Sequence, residues 1–201
     1  IQSVKDDLSS DIGSEFNFRR VENVGPKVSK ELLRAGLLAI TLSLAMMLFY
    51  IWIRFEWQFS LGAIIAIIHD VLITIGIFSF LSFEVNLSIV AAVLTIVGYS
   101  MNDTVVIFDR IRENLRKNTK VSIIDISNIS INQTLSRTLI TSITTLLALV
   151  SIYIFGGSLL KGFSFAMIVG VIIGTYSSIF VATPILNYTN VNSKTILKEE
   201  I

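Results

Sequence analysis

Residues 60–81 read SLGAIIAIIHDVLITIGIFSFL, and apart from His69 and Asp70 the stretch carries no titratable side chain. A helix rises 1.5 Å per residue, so a run of about 20 such residues crosses the roughly 30 Å hydrocarbon core of a bilayer. The run lacks the alternation of a membrane-barrel strand, and only a helix satisfies its own backbone in lipid. Working outward, residues 35–53, 87–108, 138–155 and 162–186 have the same character. The chain is 53% hydrophobic and 15% charged, with mean hydropathy +0.74, a balance that cannot solvate the surface of a water-soluble domain. The expected fold is an all-α polytopic membrane protein, with residues 34–188 as a transmembrane bundle of five spans.

Composition also excludes functions. A net charge of +1 gives no bulk electrostatic case for nucleic acid. There is no cysteine and His69 is the sole histidine, so disulfides, thiolate chemistry and a multi-histidine metal centre are not expected. No cofactor, metal or enzymatic activity is anticipated. Residues 1–33 are polar, begin at Ile1 and lack the basic-then-apolar character of a secretory signal. They are expected to be the remnant of a domain outside the membrane whose earlier part, with another span, lies upstream.

Basic residues set the orientation. Arg110, Arg112, Arg116, Lys117, Lys120 and Arg137 cluster in 109–137, whereas the loops after the second and fourth spans carry only Lys161. The positive-inside rule makes 109–137 a cytoplasmic loop and puts the tail 189–201, with Lys194 and Lys198, on the same side. Within that loop, Ile123, Ile124, Ile126 or Ile131 and Leu135 repeat at a spacing that suits a short amphipathic helix at the interface over 121–135.

A charge at the centre of a span costs about 2.5–3.5 kcal/mol by insertion measurements, so each one calls for a reason. Asp103 lies in the third span, about five residues or roughly 8 Å from its cytoplasmic end. Thr95, Tyr99, Asn102 and Asp103 share a helical face, and Arg137, Thr141, Thr144 and Thr145 form a matching stripe on the fourth span. The functional reading is a proton relay in which Asp103 takes up and releases a proton as Arg137 moves away and returns. A static Asp103–Arg137 pair that fixes helix packing is the alternative. Asp70, with Thr74 one turn on, is a second candidate for an ion pathway alongside Asn102, Tyr99 and Thr141, and His69 reads as a packed, hydrogen-bonded imidazole. Gly170 and Gly174 stand at GxxxG spacing, a helix-packing signal. Two membrane aspartates also suggest an aspartyl protease, but neither has a Gly-x-Gly-Asp setting.

Tyr99 to Asn114 read YSMNDTVVIFDRIREN, with Val24-Gly25-Pro26, Lys30-Glu31-Leu32, HDVLITIGIFS from His69 to Ser79 and SRTLITSITTLLAL from Ser136 to Leu149. These stretches resemble the signature of the bacterial SecD/SecF family of protein-export membrane proteins, and the Asn-Asp-Thr and Ile-Phe-Asp-Arg contexts favour its SecF branch. The resemblance implies a resistance-nodulation-division (RND) type bundle of six helices in the intact protein, with an α+β periplasmic domain mostly absent from this chain. It implies a heterodimer with SecD at the bacterial inner membrane that assists the SecYEG channel, the SecA motor indirectly and a YajC-type accessory subunit. That pair uses the proton-motive force to draw preproteins across. It matches the family's intramembrane Asp to Asp103 and its functional Arg to Arg137. A proton-driven RND exporter of lipids or small molecules, and a passive assembly subunit of the translocase, are the competing functions. Protons and sodium ions both suit a carboxyl beside hydroxyls.

Overall fold

A computed structural model of the chain describes residues 26–81, 87–189 and 191. The described part is helical throughout: α1 Pro26–Arg54, α2 Trp57–Phe80, α3 Leu87–Lys117, α4 Ile123–Phe155 and α5 Gly157–Ser177, then a π-helical turn Ser178–Ala182 and α6 Thr183–Tyr188. Five helical stretches are long and apolar enough to cross a membrane. The chain divides into Ile1–Ala35 and Gly36–Ile201, and all side-chain contacts below lie in the second unit. The expected remnant of an external domain falls, but for its last residues, outside the described residues, as does nearly all of the tail.

Helix ends differ from the sequence expectation. The segment 109–137 is mostly helix: α3 runs on to Lys117, and α4 starts at Ile123 and continues unbroken to Phe155. The segment read as a separate interfacial helix is therefore the first half of α4. Its start is fixed by Ser122, whose hydroxyl accepts from the Asp125 N–H at 3.2 Å and donates to the Asp125 carboxylate at 2.7 Å. The two extensions are tied together by Asn114, whose amide donates to Ser130 at 2.8 Å and to Gln133 at 2.9 Å. Arg110 also donates to Gln133, at 2.6 Å. The last span likewise starts earlier than residue 162. Gly157 turns the chain from α4 into α5 with φ 74°, a left-handed conformation that favours glycine.

The bundle is turned outward for lipid. On α4 the buried face is Ser127, Ser130, Thr134, Thr138 and Ser142, while Ile140, Ile143 and Leu147 are exposed. Small residues inside let helices approach closely where lipid, not water, is the solvent. Two apolar clusters form the core. One gathers Phe55, Phe59, Phe108, Ile111, Ile126 and Leu186; the other gathers Phe78, Ile89, Ile96, Leu149 and Val171. Along α2 the polar residues Asp70 and Thr74 fall between Ile67 of the first cluster and Phe78 of the second.

The turn between α1 and α2 is clamped onto α3. Glu56 occupies the N-cap position of α2, but its carboxylate accepts instead from Arg112 at 2.9 Å. Arg112 also donates to the carbonyl of Arg54 at 3.1 Å, and Arg54 pairs with Asp109 at 2.8 Å. Phe55 lies beneath both guanidinium groups, at 5.1 and 5.3 Å from its ring centre. Because the Glu56 side chain is 1% exposed and that of Arg112 15%, Glu56→Ala leaves a largely desolvated guanidinium with only the Arg54 carbonyl and no counter-charge from Glu56. The expected loss is about 2–3 kcal/mol, read as a lower unfolding midpoint of the detergent-solubilised protein.

Candidate functional site

The polar residues of α2, α3 and the last span meet in the bundle. Asp70 is fully buried. Its Oδ2 accepts from Ser100 of α3 at 2.5 Å and from Ser177 of α5 at 2.8 Å, and its Oδ1 stands 3.0 Å from Nδ1 of His69. Thr74 donates back to the Asp70 carbonyl at 2.7 Å. His69 also stacks on Tyr176, ring centres 6.4 Å apart. One turn along α3, the hydroxyls of Thr104 and Ser178 are 2.9 Å apart, and Ser178 donates to the Ser100 carbonyl at 3.3 Å.

Two features make this closeness achievable. Gly170 and Gly174 face α3: a Cβ on Gly170 would collide with Ile96, and one on Gly174 would lie 2.9 Å from Cβ of Ser100. Then the helix widens into the π turn, just before Pro184. Proline has no N–H and its ring crowds the carbonyl four residues back, which the wider turn accommodates. Thr183 reaches back to bond the Ser178 carbonyl at 2.9 Å. A Cβ on Gly62 of α2 would approach the Ala182 carbonyl at 2.8 Å, so this turn packs directly on the α2 backbone.

Asp103 is in a different environment. It is 4% exposed, and its Oδ2 is buried with no hydrogen-bond partner among the described residues. Arg137 lies near enough for its charge to act on Asp103, but no hydrogen bond or ion pair joins the two among the described residues. Arg137 is exposed; the next residue, Thr138, is buried with its hydroxyl unbonded. Both expected stripes are present as faces, but they engage unevenly. Tyr99 donates to Thr145 at 3.5 Å, and Thr141 bonds back to the carbonyls of Arg137 and Thr138. Thr95 and Thr144 are exposed and bond to their own helices. Asn102 is exposed and lines a groove of about 560 Å³ with Ser43, Met46, Met47 and Tyr50 of α1. Asp70 and Asp103 thus belong to separate arrangements, and Ser100, Thr104, Ser177 and Ser178 were not singled out from the sequence. No local signal set these hydroxyls apart: Ser177 and Ser178 stand one helical turn after Gly174, whereas Ser100 and Thr104 have no such neighbour.

These features define a multi-pass helical membrane protein in which Asp70 and Asp103 are buried within the spans. Residues 4–192 match the family described as protein export membrane protein SecD/SecF, C-terminal. The chain belongs to the SecD/SecF family. It is 50% identical over 186 residues to the protein translocase subunit SecF of Rickettsia rickettsii, covering 92% of this chain and 60% of that one. It is 52% identical over 181 residues to that of Cereibacter sphaeroides, covering 90% and 56%. The chain therefore spans about 60% of the length of such curated relatives. The solved structure of SecDF from Thermus thermophilus superposes with TM-score 0.79 at 43% identity, over 83% of this chain and 23% of that one. SecDF in a super-membrane-facing form gives 0.80 at 35% identity, over 100% and 28%.

Proposed function

We propose that the chain is the membrane half of a SecF subunit. Paired with SecD beside the SecYEG channel in the bacterial inner membrane, it uses the proton-motive force to complete preprotein translocation. In this reading Asp103 exchanges the ion and Arg137 governs when it does so, with residues 109–137 and the tail on the cytoplasmic side. The observation that carries it is the state of Asp103: a buried carboxyl with a donor-free oxygen, and a guanidinium within electrostatic reach but not in contact. A pair serving only to fix packing would close into a bonded ion pair, because a lone buried charge is held at a large desolvation penalty. A buried carboxyl that its neighbouring guanidinium does not bond suits a group whose occupancy alternates.

The experiment is preprotein translocation into vesicles that contain the intact SecF–SecD complex, energised in turn by a proton gradient and by a sodium gradient. Translocation stimulated by the proton gradient and lost on adding a protonophore is the expected result. Stimulation that survives the protonophore and follows sodium would overturn the proton as the coupled ion. Indifference to both gradients would overturn the coupling itself.

A further inference from the structure

Asp103 and Arg137 suffice for the coupling proposed above, and Asp70 is left without a task in it. Yet Asp70 is the more deeply buried carboxyl, and its bonding is the opposite of that of Asp103. Each of its oxygens is engaged, and a single one, Oδ2, takes both serine hydroxyls. Those serines stand on α3 and α5, so one oxygen holds α2, α3 and the last span together. The tie runs on toward Asp103. Ser100 is three residues before it on α3, and Thr104, directly after it, meets Ser178, the neighbour of Ser177, at 2.9 Å. Gly174 brings Ser100 close enough for this, since its missing side chain lets the two backbones approach.

We propose that Asp70 is a positioning residue. It fixes the height and rotation of α3 through Ser100 and Ser177, and so sets where Asp103 stands relative to Arg137, without exchanging ions itself. The inference rests on the reading of Asp103 as the coupling carboxyl. Its chemical content is that Asp70 serves as an acceptor and its charge is dispensable. An asparagine oxygen has two lone pairs and can take both hydroxyls, while its amide donates to Nδ1 of a neutral His69. A leucine can do neither: it strands the buried Ser100 hydroxyl and leaves Ser177 only its bond to the Gly174 carbonyl at 3.1 Å.

The test uses the intact complex in energised vesicles, with assembled complex and the steepness of export against membrane potential read separately. Asp70→Leu, and Ser100→Ala combined with Ser177→Ala, are expected to weaken the potential-driven component about tenfold, the scale on which a lost buried acceptor shifts an equilibrium. Asp70→Asn is expected to restore it to within about twofold. If the other variants assemble poorly, Thr104→Val, which removes the contact with Ser178 and the bond back to the Ser100 carbonyl at 3.2 Å but leaves Asp70 and its two serines in place, is expected to flatten the potential dependence at unchanged assembly. Failure of Asp70→Asn to rescue would make the ionised group itself essential and overturn the proposal, as would full potential dependence in the serine double variant or in Thr104→Val. Asp103→Asn run alongside separates the two readings. If it keeps its potential response, the coupling reading fails; if it loses the response while the serine variants keep theirs, only the positioning role falls.

Discussion

Asp103→Asn should remove the part of export that responds to membrane potential while leaving the complex assembled in normal amount. Asparagine has nearly the same shape and volume, so a residue needed only for shape or polarity would tolerate it. What asparagine cannot do is bind and release a proton. One charge crossing 100 mV supplies about 2.3 kcal/mol, which is roughly a fiftyfold bias on a conformational equilibrium. The expected loss is therefore up to about fiftyfold in the potential-driven component, with the potential-independent component unchanged. Export rate measured against imposed potential in vesicles gives both numbers at once. A variant whose rate still climbs with potential would mean that the driving ion is bound elsewhere.

Gly170→Leu should prevent the bundle from accumulating in the membrane. Even a Cβ at this position would overlap Ile96, which is 1% exposed and branched at its own Cβ, so it cannot swing aside. Overpacking a filled interior costs about 1–3 kcal/mol for small additions; Gly170→Ala falls in that range and the leucine beyond it. The sign of the mechanism is checked by Ile96→Ala, which opens the space opposite. Combined with Gly170→Ala it should recover most of the lost stability in a double-mutant cycle, because the two positions share one contact. Equal and additive losses would place the defect somewhere other than this contact.

The spans were legible because burial in lipid demands long apolar runs, and 60–81 or 87–108 satisfy nothing else. Their ends were not. Asp109 to Lys117 read as loop because the residues are charged, yet charge does not stop a helix once it leaves the hydrocarbon. Glu113 accepts from Arg110 at i−3, at 2.5 Å, and from Lys117 at i+4, at 2.6 Å, and supports the helix there. The same holds for the start of α4, where nothing between Leu135 and Thr138 breaks the helix. In the site, the charged residues drew attention through their energetic penalty, and so Asp70, Asp103 and Arg137 were singled out. Ser100, Ser177, Ser178 and Thr104 carry no such penalty. A hydroxyl in a span usually bonds to its own backbone, as Thr95 and Thr144 do, and nothing local distinguishes one that reaches another helix. Pro184 was passed over in reading the last span as one run, and that its disturbance is absorbed by a π turn beside Ser178 depends on Gly62 lying opposite.

The fused length of α3 and α4 carries a mechanical consequence. They have 31 and 33 residues, and at 1.5 Å each they exceed the hydrocarbon thickness by roughly 16 Å or more. The bonds of Asn114 tie the overhanging parts to each other. A lever of that length, tilted by about 10° at its membrane end, sweeps its tip through about 3 Å. A rearrangement too small to open the bundle would then be felt in the aqueous phase as a displacement the size of a side chain.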